Sequence, residues 1–276
     1  MSKPDVVIAQ ITDLHIKRRG ELAYGKVDTA AGLERLVQTL NLLRPEPHLI
    51  VISGDLVDAG RSEEYLHLRK LLEPLRGPLM VVPGNHDNPG TMREAFPDQP
   101  FQSASSLNQI RQVGHLDIVG LDSSVPGQPH GELDAATLSW LDATLAADHA
   151  RPALLFLHHP PFRMGVWHMD RQNLANADAL SRIVIRHPRV ALVAAGHCHR
   201  SAITRFAGTL GTICPAPSHA VALDLDQAIM PSFTIEPPAF HLHIWSNADQ
   251  SLLTHHVPVG DFDGPHPFFG ADGRLL

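Results

Sequence analysis

Six short apolar runs in the first 200 residues each stop at a glycine or a polar cluster, and helix-length segments separate most of them. The runs are residues 6–10, 48–53, 79–82, 116–121, 153–157 and 190–194. Most are continuous instead of alternating, the pattern of strands covered on both faces. Residues 28–43, 62–73, 134–147 and 176–186 read as helices. In the first of these, Leu33, Leu36, Val37 and Leu40 fall at i, i+3, i+4 and i+7, with Asp28 or Thr29 placed to cap and Pro45 and Pro47 beyond the end. The second opens at Ser62, with Glu63 and Glu64 in the first turn, where carboxylates complement the helix dipole. Strands alternating with helices predict an α/β fold. The polar clusters lie just past strand carboxyl ends, where open α/β sheets hold their ligands.

After about residue 200 the helical spacing stops. Residues 209–213, 220–225 and 239–245 read as strands, and residues 260–276 are rich in Gly, Pro and Phe. We expect a single domain over residues 1–276. Its core is expected at about 1–225; about 226–276 would form an extension, a second sheet with a capping or association segment. A hydrophobic fraction of 43% is ample for a core, and the net charge of −7 argues against a nucleic-acid scaffold, which shows a basic footprint. Two cysteines, Cys198 and Cys214, are too few for a disulfide framework. No stretch of about 18 apolar residues occurs, so neither a signal peptide nor a membrane span is expected, and a cytoplasmic protein is the default.

The chain has 19 histidines against 22 Lys plus Arg, and their placement matters more than their number. Asp13-Leu14-His15 puts a carboxylate and an imidazole two apart at a strand exit, able to chelate one ion. Taken alone it is more often an ordinary solvated loop. Gly54-Asp55 lets the backbone turn sharply and project a carboxylate, although a turn Asp would look the same. Asp58 is a hydrogen-bonding or capping candidate. Gly84-Asn85-His86-Asp87 offers an amide oxygen, which ligates without adding charge, beside an imidazole that can meet a substrate. His158-His159-Pro160-Pro161 presents two imidazoles, one a candidate ligand and the other a supporting or packing residue. Gly196-His197-Cys198-His199 presents two more, with Cys198 pointing the other way into the core.

The order of these motifs, DxH, GD, GNHD, HxP and GHxH over residues 13–199, resembles the calcineurin-like metallophosphoesterase superfamily, with no ligand missing. The resemblance implies a four-layer α-β-β-α sandwich. It implies two divalent ions (Fe, Mn, Co or Zn), one held by Asp13, His15 and His199, the other by Asn85, His158 and His197, with Asp55 bridging. His158 is preferred to His159 because the pattern puts the ligand two before the proline. His86 would stand outside the coordination and assist the leaving group.

Gly54-Asp55-Leu56-Val57-Asp58-Ala59-Gly60 lacks the arginine of the protein phosphatases' GDxVDRG, and GNHD replaces their GNHE. Residues 19–28 and 61–65, with Pro160-Pro161 and Trp167-His168-Met169-Asp170, are instead similar to bacterial glycerophosphodiesterases and class III cyclic-nucleotide phosphodiesterases. That group's usual GHNH is GHCH here, a change at a position that is not a ligand. The implied activity is hydrolysis of a small phosphodiester by attack of a metal-activated hydroxide. Two dications less Asp13, Asp55 and hydroxide leave the centre near +1 by charge counting, suited to a diester monoanion. His159, His219, residues 162–176 and the C-terminal segment would line or cap the pocket, and a homo-oligomer is expected. A phosphomonoesterase, a nuclease and a catalytically silent scaffold are the competing readings. The acidic balance weakens the nuclease, and the complete ligand set weakens the scaffold.

Overall fold

The computed structural model describes residues 5–276. One sheet is built from β1 (Val6–Ile11), β2 (Leu49–Ser53) and β3 (Leu79–Val82), extended by β12 (Ala239–Ser246) and β13 (Ser251–Pro258) in the order β13-β12-β1-β2-β3. The second contains β4 (Gln109–Val113), β5 (Leu116–Leu121), β6 (Ala153–Leu157), β7 (Val190–Ala195), β8 (Ala202–Phe206) and β9 (Thr209–Ile213), in the order β4-β5-β6-β7-β9-β8. The central strands of both run parallel, and antiparallel pairing appears at the margins: β13 on β12, β12 on β1, β4 on β5 and β8 on β9. A short ladder, β10 (Ala220–Val221) with β11 (Phe233–Thr234), stands apart.

Three apolar clusters define four layers. Val6, Ile8, Val51 and Val82 of the first sheet pack against Ile118, Leu154, Phe156 and Leu192 of the second. On the outer face of the first sheet lie α1 (Thr29–Leu42), α2 (Ser62–Leu72) and α3 (Pro89–Ala95), through Leu33, Leu36, Tyr65, Leu68 and Met92. The second sheet is covered by α4 (Ala135–Ala146) and α6 (Ala177–Arg186), through Leu141, Leu145, Leu180 and Ile183, while the one-turn α5 (Trp167–Asp170) borders a pocket at the sheet ends. The expected α-β-β-α sandwich is the architecture found. Each fully buried leucine on these helix stripes contributes about 1.5–3 kcal/mol by leaving water. Asp28 is the cap of α1, its carboxylate accepting from Ala31 N at 2.9 Å.

The C-terminal strands depart from expectation: instead of a sheet of their own, β9 joins the second sheet and β12 joins β1, pairing Val6 with Trp245 and Gln10 with His241. Strand β12 alternates and β13 is an exposed edge, so neither resembles the continuous buried runs. Residues 220–225 hold only the two-residue β10. The mixed-polarity edges β4 and β8 and the short helices α3 and α5 escaped the periodicity, although Asn88 followed by Pro89 is a recognisable helix start. No helix among the described residues is long and apolar enough to cross a membrane.

Candidate metal centre

The carboxyl ends of β1, β2, β3, β6 and β7 meet at one seam between the sheets. Asp13, His15, Asp55, His197 and His199 there have φ of +53°, +43°, +50°, +70° and +53°. Such left-handed backbone in non-glycine residues costs on the order of 1–3 kcal/mol each and clusters at functional sites. Here it turns the chain two to four residues past the ends of β1, β2 and β7, so that residues two apart, Asp13 with His15 and His197 with His199, face the same point. Close approach also requires glycine. A Cβ at Gly84 would sit 2.2 Å from Asp55 Oδ1, and one at Gly196 would sit 2.0 Å from Thr12 Oγ1.

The expected ligands converge. His15 Nε2 lies 3.1 Å from His199 Nε2 and 3.5 Å from Asp55 Oδ2, and His199 Nε2 lies 3.3 Å from Asp13 Oδ1. On the other side, His158 Nε2 lies 3.2 Å from Asn85 Oδ1, 3.3 Å from His197 Nδ1 and 3.3 Å from Asp55 Oδ2. Asp55 therefore reaches both groups. Ligand atoms of Asp13, His15 and His199 lie within 4.8 Å of one another, as do those of Asp13, Asp55 and His158. At most one nitrogen in each facing imidazole pair can donate, so basic lone pairs and carboxylate oxygens are crowded at two points. Imidazole, carboxylate and amide donors together suit borderline divalent cations. The residues present fit two such ions.

The electrostatics follow from this crowding. Burial raises the Asp13 carboxyl to about 6. Burial also opposes ionisation of Asp55, but His158, His86 and His15 outweigh it and hold that carboxyl well below the ordinary range. His158 is raised to about 9: Asp55 and Asp13 overcome the penalty of burial. Its partner His197 is pushed down to about 3 by burial and by His158, and burial and His15 likewise push His199 down.

Supporting groups fix the rings. His158 Nδ1 donates to Ser53 O at 3.0 Å. His15 Nδ1 faces Asp58 Oδ1 at 3.5 Å, and Asp58 is clasped by Lys17 Nζ at 2.5 Å. The pairing with His15 and Lys17 holds the Asp58 carboxyl well below its ordinary range. Orienting a ligand imidazole through its far nitrogen is a recurrent device at metal sites. His86 donates from Nδ1 to Asp58 O at 2.7 Å, since a carbonyl can only accept, and its backbone N donates to Asp55 Oδ1 at 2.9 Å. Its ring stands edge-on to His15 with centroids 4.6 Å apart.

Asp87 and Tyr65 were not singled out from the sequence. Asp87 accepts from Gly84 N at 2.9 Å, Leu56 N at 3.1 Å and Tyr65 Oη–H at 2.8 Å. It thereby ties the loop bearing Asp55 to the loop bearing Asn85. The sharp Gly84 turn, with amides needing acceptors, is the signal that could have found it.

A pocket of about 390 Å3 opens onto the centre, with Tyr24, His86, His168, Met169, His219 and Phe233 among its walls. Among the described residues, neither lysine nor arginine lines it. Tyr24, with φ +51°, stacks on Phe233 at 4.8 Å, and His219 stands edge-on to both. His219 thus borders the pocket, as do His168, Met169 and Gln172 from the expected 162–176 segment; residues 260–276 do not. His159 differs from expectation. It is fully buried beside His158 and His197, its Nδ1 paired with Ser123 Oγ at 2.8 Å, and it is not among the residues that line the pocket.

A family model described as calcineurin-like phosphoesterase matches residues 6–201. The chain is 36% identical over 273 residues to a protein of Arcobacter nitrofigilis named probable glycerophosphodiester phosphodiesterase GpdQ, covering 98% of this chain and 100% of that one. It is 34% identical over 195 residues to the 3′,5′-cyclic adenosine monophosphate phosphodiesterase CpdA of Escherichia coli K12, covering 71% and 70% of the two chains. Among solved structures, a dimetal phosphatase from Danio rerio superposes with a TM-score of 0.65 at 14% identity, covering 92% of this chain and 99% of that one, a likeness of fold.

Proposed function

The chain belongs to the calcineurin-like phosphoesterase family, and from that premise we propose a metal-dependent phosphodiesterase acting on small diesters, a 3′,5′-cyclic nucleotide or a glycerophosphodiester. The observation that carries this reading is the convergence of Asp13, His15 and His199 on one point and of Asn85, His158 and His197 on another, with Asp55 in reach of both. These residues would hold two ions drawn from Fe, Mn, Co or Zn. When bound, two such ions supply Lewis-acid activation of a water and of a phosphoryl oxygen. The protein's own contribution is geometric and protic. Asp58 and the Ser53 carbonyl hold His15 and His158 in place. His86, anchored through Nδ1, is left with Nε2 to stabilise or protonate the departing alkoxide.

The pocket supports a diester over the competing substrates. A monoester dianion or a polynucleotide calls for added cations, and no lysine or arginine among the described residues stands in its wall. Tyr24, Met169 and Phe233 instead present apolar and aromatic surface to an alcohol group. We also expect a homo-oligomer, because Phe262, Phe268, Phe269 and Leu276 are exposed in the C-terminal segment; light scattering tests it. The main test is kcat/KM of the metal-reconstituted protein on cyclic AMP, glycerophosphoethanolamine, p-nitrophenyl phosphate and single-stranded DNA. Diesters are expected to lead the monoester and the DNA by at least about tenfold, the scale of one lost polar contact. A preferred monoester, or undiminished turnover after chelation, would refute the reading.

A further inference from the structure

The facing rows between the sheets change from apolar to polar as they approach the centre. On β1 the row runs Val6, Ile8, Gln10; on β2 it runs Leu49, Val51, Ser53; on β6 Leu154 and Phe156 lead to His158. Gln10 is fully buried in this gap. Its Nε2 donates to Ser53 Oγ at 2.8 Å, within its own sheet, and to Ala195 O at 3.1 Å, on β7 of the other sheet. Its Oε1 accepts from His243 Nε2 at 3.1 Å, and His243 Nδ1 accepts from the Thr254 hydroxyl at 2.8 Å. The reverse orientation of the amide would set its oxygen against the Ala195 carbonyl, so the network assigns the flip.

Each partner leads directly to a candidate ligand. Ser53 precedes Gly54-Asp55, and its carbonyl accepts from His158 Nδ1 at 3.0 Å and Thr12 Oγ1 at 3.1 Å. Ala195 precedes Gly196-His197, and His197 N donates to both Asp13 carboxylate oxygens, at 3.1 and 3.0 Å. Gln10 itself lies three residues before Asp13. A buried carboxamide that makes no hydrogen bond to a candidate ligand side chain among the described residues therefore links the three strand ends that place Asp13, Asp55 and His197.

We propose that Gln10 is a positioning residue that sets the spacing of the two ligand groups by pinning β1 and β2 to β7, with His243 holding the amide in register. The proposal rests on the metal-centre reading above. The first measurement is calorimetric titration of the wild-type protein with Mn2+, beside Gln10→Met, which keeps the volume and removes the hydrogen bonds. Gln10→Met is expected to weaken Mn2+ binding by about 10–100-fold, the scale for groups that orient ligands from outside the coordination. The double variant Gln10→Met with His243→Phe leaves no stranded imidazole N–H, so the metal-free Tm is expected to recover while Mn2+ affinity stays low. Affinity that returns together with Tm would make Gln10 merely structural and overturn the proposal. So would a Gln10→Met protein with affinity within about threefold of wild type, well short of the expected range. If Gln10→Met does not fold, Ser53→Ala removes one arm of the clamp. A several-fold loss of affinity is then expected, and unchanged affinity overturns the proposal. Failure of the wild type to bind Mn2+, Co2+ or Zn2+ would instead remove the metal-centre reading itself, which separates the two failures.

Discussion

The first sheet brings both carboxylates, the amide and one imidazole to the seam, from Asp13, Asp55, Asn85 and His15, whereas the second brings imidazoles alone, from His158, His197 and His199. Negative charge gathers on one side and imidazole donors complete it from the other. The carboxylates hold His158 up at about 9, while His197 beside it is pushed to about 3. Neither sheet contains a full candidate ligand set, so ion binding would be coupled to how the sheets pack. Both nonetheless use one local device, left-handed residues two apart at a strand exit.

The largest test of this division strikes its shared member. Asp55→Ala should lower diesterase turnover by about 10^4-fold, the scale of losing a residue central to the reaction, and should cost metal at both positions. Retained binding of two ions, counted by elemental analysis, would mean Asp55 does not join the halves. His86→Ala sharpens the boundary between holding metal and doing chemistry. We expect kcat to fall about 10^2–10^3-fold with metal content unchanged. Loss of metal would place His86 among the ligands.

Asp58→Asn probes the first sheet's support for His15. Metal affinity should drop about tenfold or more, and the lost ion should be the one His15 holds, which EPR of the Mn2+ form can resolve. Equal loss at both positions would blur the comparison. The smallest effect concerns β12, which ties the first sheet's far side. His241 is buried there and lowered to about 4, by burial and then by His256. Its folded value lies below the unfolded 6.5, so its contribution is full above pH 6.5 and is lost as pH falls toward 4. By pH 5 the loss should be on the order of 1–2 kcal/mol. His241→Phe should flatten the fall in metal-free Tm between pH 7 and pH 5, and an unaltered slope would contradict this.

Much of the candidate site was legible because its parts are locally encoded. Asp13, Asp55, Asn85, His158 and His197 each lie within three residues past the end of an apolar strand, and such runs leave marks in a few consecutive residues. Helix stripes and the Asp28 cap were readable for the same reason. His158 and His159 share one local signal, and which of the two imidazoles faces Asn85 and Asp55 depends on strand register. Gln10 was read only as the end of a strand, and Asp87 only as the last letter of a motif. A buried amide and a buried carboxylate declare their roles through partners up to 233 residues away in sequence.

By itself the sequence determined the strand and helix alternation, the kinds of candidate ligand and their places at strand ends, because hydrophobic period and turn chemistry are short-range properties. Only the tertiary structure decided that β12 and β13 flank β1, that the carboxylate and imidazole halves meet across two sheets, and that Gln10 spans the gap between them. Pairing and packing are set by the total burial and hydrogen-bond satisfaction of distant segments, and no window of neighbouring residues contains that sum.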